Sequence, residues 1–388
     1  MEPLAGIRIL DLSMYLAGPY GPALLSDLGA EVIKVEPIEG EPLRGPTAAY
    51  LGWNHGKRCI CIDLTKLQGQ KIVHKLASKC DVVVENFRPA VAKRLRVDYE
   101  TLCKINPTII YCSITAFGRK GPYERKPGVD PLMQARSGIM QAQGGKTGFP
   151  MFLKIPVCDY TTAMLNACEI SFALYHRAKF GTGQLIETSL LNAGAFLNSN
   201  AFSDNSETGH RPLANADLLG VSALDRMYAT SDGWIYIKCT SETQWPILCH
   251  LIDRDDLITD SRFSISHERC INDYALSEIL ESVFKSEQSE AWIELLDVYQ
   301  IPSALVERQY IENLFIDVQV LETGLIVQKR HAEFGDIEQA GALIQFSDCD
   351  VTVGRAAPTL GQHTGEILTE LGYSDNEIIA LHDDQVIA

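Results

Sequence analysis

Basic residues are scarce in this 388-residue chain: 34 lysines and arginines stand against 50 aspartates and glutamates, a formal net charge of −16. General nucleic-acid binding wants a basic surface, so that class is excluded. A local basic pocket for an anionic ligand is not. No run approaches the roughly 20 apolar residues of a membrane span, and no membrane partner is expected. The opening residues combine neither a basic stretch nor an apolar one, so no secretory signal is expected. The eleven cysteines are odd in number and include no C-x-x-C pair, which fits reduced thiols packed as small hydrophobes and a cytoplasmic location. The nine histidines lack H-x-x-x-H spacing, so no metal site is expected. There is no internal repeat or low-complexity tract.

What is present is an ordinary soluble composition, 46% hydrophobic and 22% charged, in a chain long enough for two domains. The first half alternates strand and helix. Apolar strands are expected at 6–12, 31–36, 58–64, 81–85 and 108–115, with helices at 19–28 and 65–79. This alternation predicts an α/β fold around a doubly wound parallel sheet, whose ligands gather beyond the carboxyl ends of its strands. The loops at 13–21, 36–46, 86–96 and 115–130 are therefore the candidates for a site. From about residue 200 to 223 the pattern breaks into polar, Gly- and Pro-containing sequence, read as a linker. A second unit follows, with strands near 227–229 and 234–238 joined by Ser231-Asp232-Gly233, and helices near 241–252, 274–284 and 289–298.

Asp159 is the most informative residue. It is a lone acid after Lys154-Ile155-Pro156-Val157-Cys158, and it opens a helix patterned by Ala163, Met164, Ala167, Ile170, Ala173 and Leu174. A helix N-terminus favours an anion. The carboxylate there serves either as a plain N-cap or as a base or covalent nucleophile. Other constellations are equally two-sided. Glu36 ends the second strand where a ribose-binding acid would lie, but Ala17-Gly18-Pro19-Tyr20-Gly21-Pro22 breaks the G-x-G-x-x-G fingerprint, which disfavours a nicotinamide enzyme. Val84-Glu85-Asn86-Phe87-Arg88-Pro89, followed by Lys93, Arg94 and Arg96, is either a phosphate-binding cluster or a solvated helix face. Gly118-Arg119-Lys120-Gly121, with Arg125 and Lys126, is either a ligand-approaching loop or a mobile one. Asp130 opens a helix and is either its cap or a part of the site.

Taken in order, several segments resemble the class III coenzyme A transferases, the family of formyl-CoA transferase and carnitine CoA-transferase that also contains α-methylacyl-CoA racemase. They include Leu4-Ala5-Gly6-Ile7-Arg8-Ile9-Leu10-Asp11-Leu12, Ala17-Gly18-Pro19, Gly29-Ala30-Glu31-Val32-Ile33-Lys34-Val35-Glu36 and Gly56-Lys57-Arg58. Glu85-Asn86-Phe87-Arg88-Pro89, Gly181-Thr182-Gly183-Gln184 and Pro358-Thr359-Leu360-Gly361-Gln362-His363-Thr364 continue the series. The resemblance implies an interlocked homodimer. Its Rossmann-like large domain would begin with residues 1–200 and be completed by the C-terminal tail. A linker at 201–225 would lead to a small α+β domain at 226–310, and 311–388 would return to the large domain. It further implies that Asp159 attacks an acyl-CoA thioester. CoA then passes to a small carboxylic acid through an aspartyl anhydride and an aspartyl-CoA thioester, with no permanently bound cofactor. Lys57, Asn86, Arg88 and Arg94, with Ala17 and Gly18, match positions that contact CoA.

The departures narrow the reaction. Leu16 stands where the formyl-CoA enzymes have a glutamine, Pro37 stands where they have a nucleotide-binding arginine, and no glycine-rich loop follows Pro212. Oxalate–formyl-CoA exchange is therefore not expected. The racemase branch needs a histidine just before the acid aligned with Asp130, to hold a proton on one face of the α-carbon. Val129 occupies that position. An intramolecular transferase or isomerase, and a non-catalytic CoA-binding member, are the alternatives to intermolecular transfer.

Overall fold

A computed structural model describes residues 2–44, 47–201, 213–309, 311–349 and 351–388. Residues 202–212 of the expected linker, with Pro212, lie outside the described residues, as do residues 45 and 46 of the loop after the second strand. The chain forms two compact units. One comprises residues 1–137, 153–199 and 317–388, the other 138–152 and 200–316. The short stretch 138–152 thus groups with the second unit, although it falls inside the 1–200 span expected for the large domain.

The first unit is built on strands β1 (Arg8–Asp11), β2 (Glu31–Glu36), β3 (Lys57–Cys61), β4 (Val82–Glu85), β5 (Ile110–Thr115) and β6 (Gln184–Ser189). They pair in the order β3-β2-β1-β4-β5-β6, every pair parallel, with Leu10 opposite both Ile33 and Val83. Central strands such as Val82-Val83-Val84 are apolar on both faces because helices cover both. These helices are α1 (Tyr20–Ser26), α2 (Ala48–Trp53), α3 (Leu67–Ala77), α4 (Val91–Arg94), α5 (Tyr99–Ile105) and α6 (Asp130–Ser137), with α7 (Ile139–Gln143) belonging to the second unit, then α8 (Val157–Phe180) and α9 (Leu190–Leu197). The strand order reverses between β1 and β4, so the loops leaving those two strands flank a crevice.

Two boundaries moved for local reasons. α3 starts after Thr65 because the amide and hydroxyl of Thr65 both donate to Asp63, folding that stretch as a turn. α8 runs on past Leu174, the last residue of its apolar pattern, to Phe180, and Gly181 ends it in the left-handed conformation. β6 was not foreseen as a strand: Gln184, Glu187, Thr188 and Ser189 dilute its apolar signal.

The core of the first unit joins Leu10, Ile33, Ile60, Ile72, Val83 and Tyr111 to Ile367, Leu368, Leu381, Val386 and Ile387. The C-terminal tail therefore completes this unit. Asp63 donates its backbone N–H to the Val386 carbonyl at 2.9 Å, and Ile62 bridges Ile387. The second unit carries an antiparallel sheet of β7 (Gly220–Ser222), β8 (Asp225–Ala229), β9 (Trp234–Lys238) and β10 (Ser303–Leu305), with a core of Tyr228, Ile235, Trp245, Phe284 and Trp292. A hairpin of β11 (Ile326–His331) and β12 (Gly335–Ala340) lies in the last stretch of the first unit.

Candidate active site

Asp159 sits in the first turn of α8, but it does not cap the helix. Asp130, the buried first residue of α6, accepts the backbone N–H of Cys158 at 2.7 Å and of Asp159 at 3.0 Å. Gln134 donates its side-chain amide to the same Asp130 carboxylate and also to the Leu153 carbonyl. The capping role open to Asp159 is therefore filled by an acid 29 residues away. The Asp159 carboxylate itself accepts no hydrogen bond among the described residues. Burial, and then the charge of Asp130, pushes its pKa up to about 7. Asp159 is thus a part-buried carboxylate at a helix N-terminus with a raised pKa and no hydrogen-bond partner among the described residues, the kind of perturbed group that clusters at functional sites.

The loop leaving β1 reaches the same region. Gly21 of α1 packs so closely on α8 that a Cβ there would stand 3.0 Å from the Ala163 carbonyl, one turn beyond Asp159. Gly18 is tighter still, its hypothetical Cβ falling 2.3 Å from Ser13 Cβ. Asn86, at the end of β4, accepts the Met14 backbone N–H at 2.9 Å and donates to the Met14 carbonyl at 2.7 Å. Its amide thus clamps the two loops of the crevice together, using one of its two N–H donors. Ala17 and Gly18 are buried beneath the loop.

Lys57 is more fully engaged. It is fully buried, and its ammonium donates to Asp11 at 2.8 Å, the Pro19 carbonyl at 2.7 Å and Asn54 at 2.9 Å. All three protons are used, so none is left for CoA. Burial lowers its pKa to about 8, against the opposing pull of Asp11. Glu36 is likewise engaged, by Arg44 at 2.8 Å and by the Tyr50 hydroxyl at 2.9 Å. Although burial alone would raise Glu36, Arg44 and Lys34 hold it down to about 2, which removes it as a ribose acid. Lys34, Asp11 and Arg44 were missed from the sequence. The available signal was charge inside apolar strands, as in Val32-Ile33-Lys34-Val35-Glu36, where a buried charge demands a partner.

Arg88, Lys93 and Arg94 follow β4, exposed and without a side-chain partner among the described residues. Between them Ala90 adopts φ +71° and, across the crevice, Tyr15 adopts φ +68° with its ring 48% exposed. A non-glycine residue in this region stores strain of about 1–3 kcal/mol, and such residues concentrate at ligand sites. Of the expected residues, then, Arg88 and Arg94 are exposed, while Lys57 bonds Asp11, Pro19 and Asn54 and Asn86 bonds Met14.

The family pattern described as CoA-transferase family III matches residues 4–364. The chain belongs to that family. It is 33% identical to human succinyl-CoA:glutarate CoA-transferase over 97% of this chain and 88% of that one. It is 30% identical to the succinate–glutarate CoA-transferase of Agrobacterium fabrum, over 95% and 96% of the two chains. Among solved structures, a CAIB/BAIF family protein from Brucella suis superposes with a TM-score of 0.85 at 30% identity, covering 95% of this chain and 99% of that one. The fold with its six-stranded parallel sheet is that of the family, and this member is a CoA-transferase acting between an acyl-CoA and a carboxylate.

Proposed function

We propose that this enzyme moves CoA from an acyl-CoA donor to a small carboxylic acid with Asp159 as covalent nucleophile. The observation that carries the reading is the Asp159 carboxylate, without a hydrogen-bond partner among the described residues in the first turn of α8, while Asp130 does the capping. Asp159 attacks the thioester carbonyl, the C–S bond breaks, and an acyl-aspartyl anhydride and a CoA thiolate result. The thiolate attacks the aspartyl carbonyl, giving an aspartyl-CoA thioester and releasing the donor acid. The acceptor carboxylate then displaces CoA to form a second anhydride, and the thiolate takes the acceptor acyl group and frees Asp159. The thioester's free energy is conserved throughout, with no step that requires a metal. Arg88 and Arg94 are assigned to the anionic nucleotide of CoA. Val129, a hydrocarbon where a proton carrier is needed, speaks against racemisation.

We also propose a homodimer, interlocked as the resemblance implies. In support, α8 exposes Met164, Cys168, Phe172 and Tyr175 along one helical stripe, an apolar face that a monomer would leave in water. Light scattering should then give about twice the 42.9 kDa of one chain. All eleven cysteines are free thiols, which fits a cytoplasmic location. The deciding experiment mixes the enzyme with succinyl-CoA or acetyl-CoA and a panel of small carboxylates, and follows new CoA thioesters by mass spectrometry. Exchange should occur and vanish in Asp159→Ala while CoA still binds. Exchange surviving in Asp159→Ala would refute the nucleophile. Rearrangement of a single acyl-CoA without an acceptor would mark an isomerase instead.

A further inference from the structure

Beside the last segment of this acidic chain lies a cavity of about 230 Å³ whose polar lining is Arg330, Arg355, Gln362 and His363, with no acid among its walls. It adjoins the edge strand β3, which β2 separates from β1, so it is apart from the crevice between β1 and β4. Two nearby acids are engaged: Asp336 pairs with Arg330 at 3.1 Å, and Glu366 with Arg58 at 2.9 Å.

His363 decides what the cavity needs. It is 6% exposed, and Nδ1 accepts the Cys59 backbone N–H at 3.1 Å, while its own backbone N–H donates to the Cys59 carbonyl at 3.0 Å. A backbone amide only donates, so Nδ1 carries the lone pair and the neutral ring carries its proton on Nε2. Burial, then the charge of Arg355, holds the ring below its ordinary pKa, which fits the neutral form. The Nε2–H therefore faces Nη1 of Arg355, 3.0 Å away and also a donor. Two donors confront each other, the buried His363 and the exposed Arg355, with no acceptor between them and no carboxylate partner for Arg355 among the described residues. Gln362 adds a third donor, because its Oε1 is occupied by the Thr359 backbone N–H at 2.9 Å and its NH₂ group is left over. An unmatched buried donor such as the His363 Nε2–H costs about 1–3 kcal/mol, and one acceptor shared with Arg355 would satisfy it.

We propose that this cavity is a binding site for a small oxyanion, a phosphate or a carboxylate, held jointly by the His363 Nε2–H and the Arg355 guanidinium, with Arg330 and Gln362 at its rim. Its volume is below the roughly 300 Å³ at which pockets for drug-sized ligands begin, so it suits a small anion and excludes a nucleotide. Because His363 ties the tail to β3, the anion would reinforce the docking of the tail.

The test titrates the whole protein with inorganic phosphate and, separately, with succinate, against sodium chloride at matched ionic strength. Thermal denaturation gives the shift in Tm, and phosphorus NMR line broadening gives the phosphate Kd. One or both anions should raise Tm beyond chloride. Arg355→Gln should weaken binding at least tenfold and Arg330→Gln by less; both side chains are exposed, so the fold is retained. Asp159→Ala should bind as wild type, which separates this site from the transfer chemistry. A response to phosphate alone, or to succinate alone, names the anion class. Equal behaviour of both anions and chloride would overturn the proposal, as would unchanged binding in Arg355→Gln.

Discussion

Replacing Asp159 by asparagine should abolish transfer and at the same time stabilise the protein, in a pH-dependent way. Asp159 is held at about 7 where 3.8 is ordinary, first by burial and then by Asp130. A folded-state pKa above the unfolded value means that the folded carboxyl binds its proton more tightly. Ionising it in the fold therefore costs stability, fully above pH 7 and progressively less as pH falls toward 3.8. Taken whole, that difference is worth up to about 4 kcal/mol, and screening of a part-exposed group leaves about 1–2 kcal/mol. Asparagine keeps the shape without the charge, so Asp159→Asn should be more stable than wild type by that amount at about pH 8. The gain should fade to near zero at about pH 4. Urea denaturation of both proteins at the two pH values measures it. A mutant less stable than wild type at pH 8, or a gain that does not vary with pH, would refute the claim that Asp159 is an uncompensated charge.

Other substitutions probe the same assembly. Asp130→Asn keeps an acceptor for the two amides but removes the charge, so the Asp159-dependent rise of kcat/KM with pH should move below 7; an unmoved limb would show that Asp130 exerts no electrostatic pull. Arg88→Ala and Arg94→Ala should each raise KM for acyl-CoA several-fold with kcat little changed, and an unaltered KM would take that residue out of the site. Gly18→Ala forces a contact that Ser13 cannot yield freely and should destabilise by about 1–3 kcal/mol, read as a lower urea midpoint. Lys57→Met leaves Asp11 buried without its cation and should cost about 3–5 kcal/mol, lowering Tm without a selective effect on CoA affinity; a purely KM-directed effect would restore Lys57 to the nucleotide site.

What the sequence by itself determined about this enzyme was carried by short-range periodicity and by the order of its segments. Val82-Val83-Val84 and Val32-Ile33 read as buried parallel strands, and Asp159 could be placed at the start of a helix. The run of segments from Leu4 to Thr364 pointed to the family. Tertiary structure alone decided the assignment of roles, because a side chain's partners need not be near it in the chain. Asn86 is spent on Met14, 72 residues away, and Lys57 on Asp11, 46 away. The confrontation of His363 with Arg355 follows from His363 meeting Cys59 across 304 residues. Asp159 looked like a cap because local sequence offers a helix start its nearest acid. It makes no capping bond because folding brings Asp130 to the same amides first.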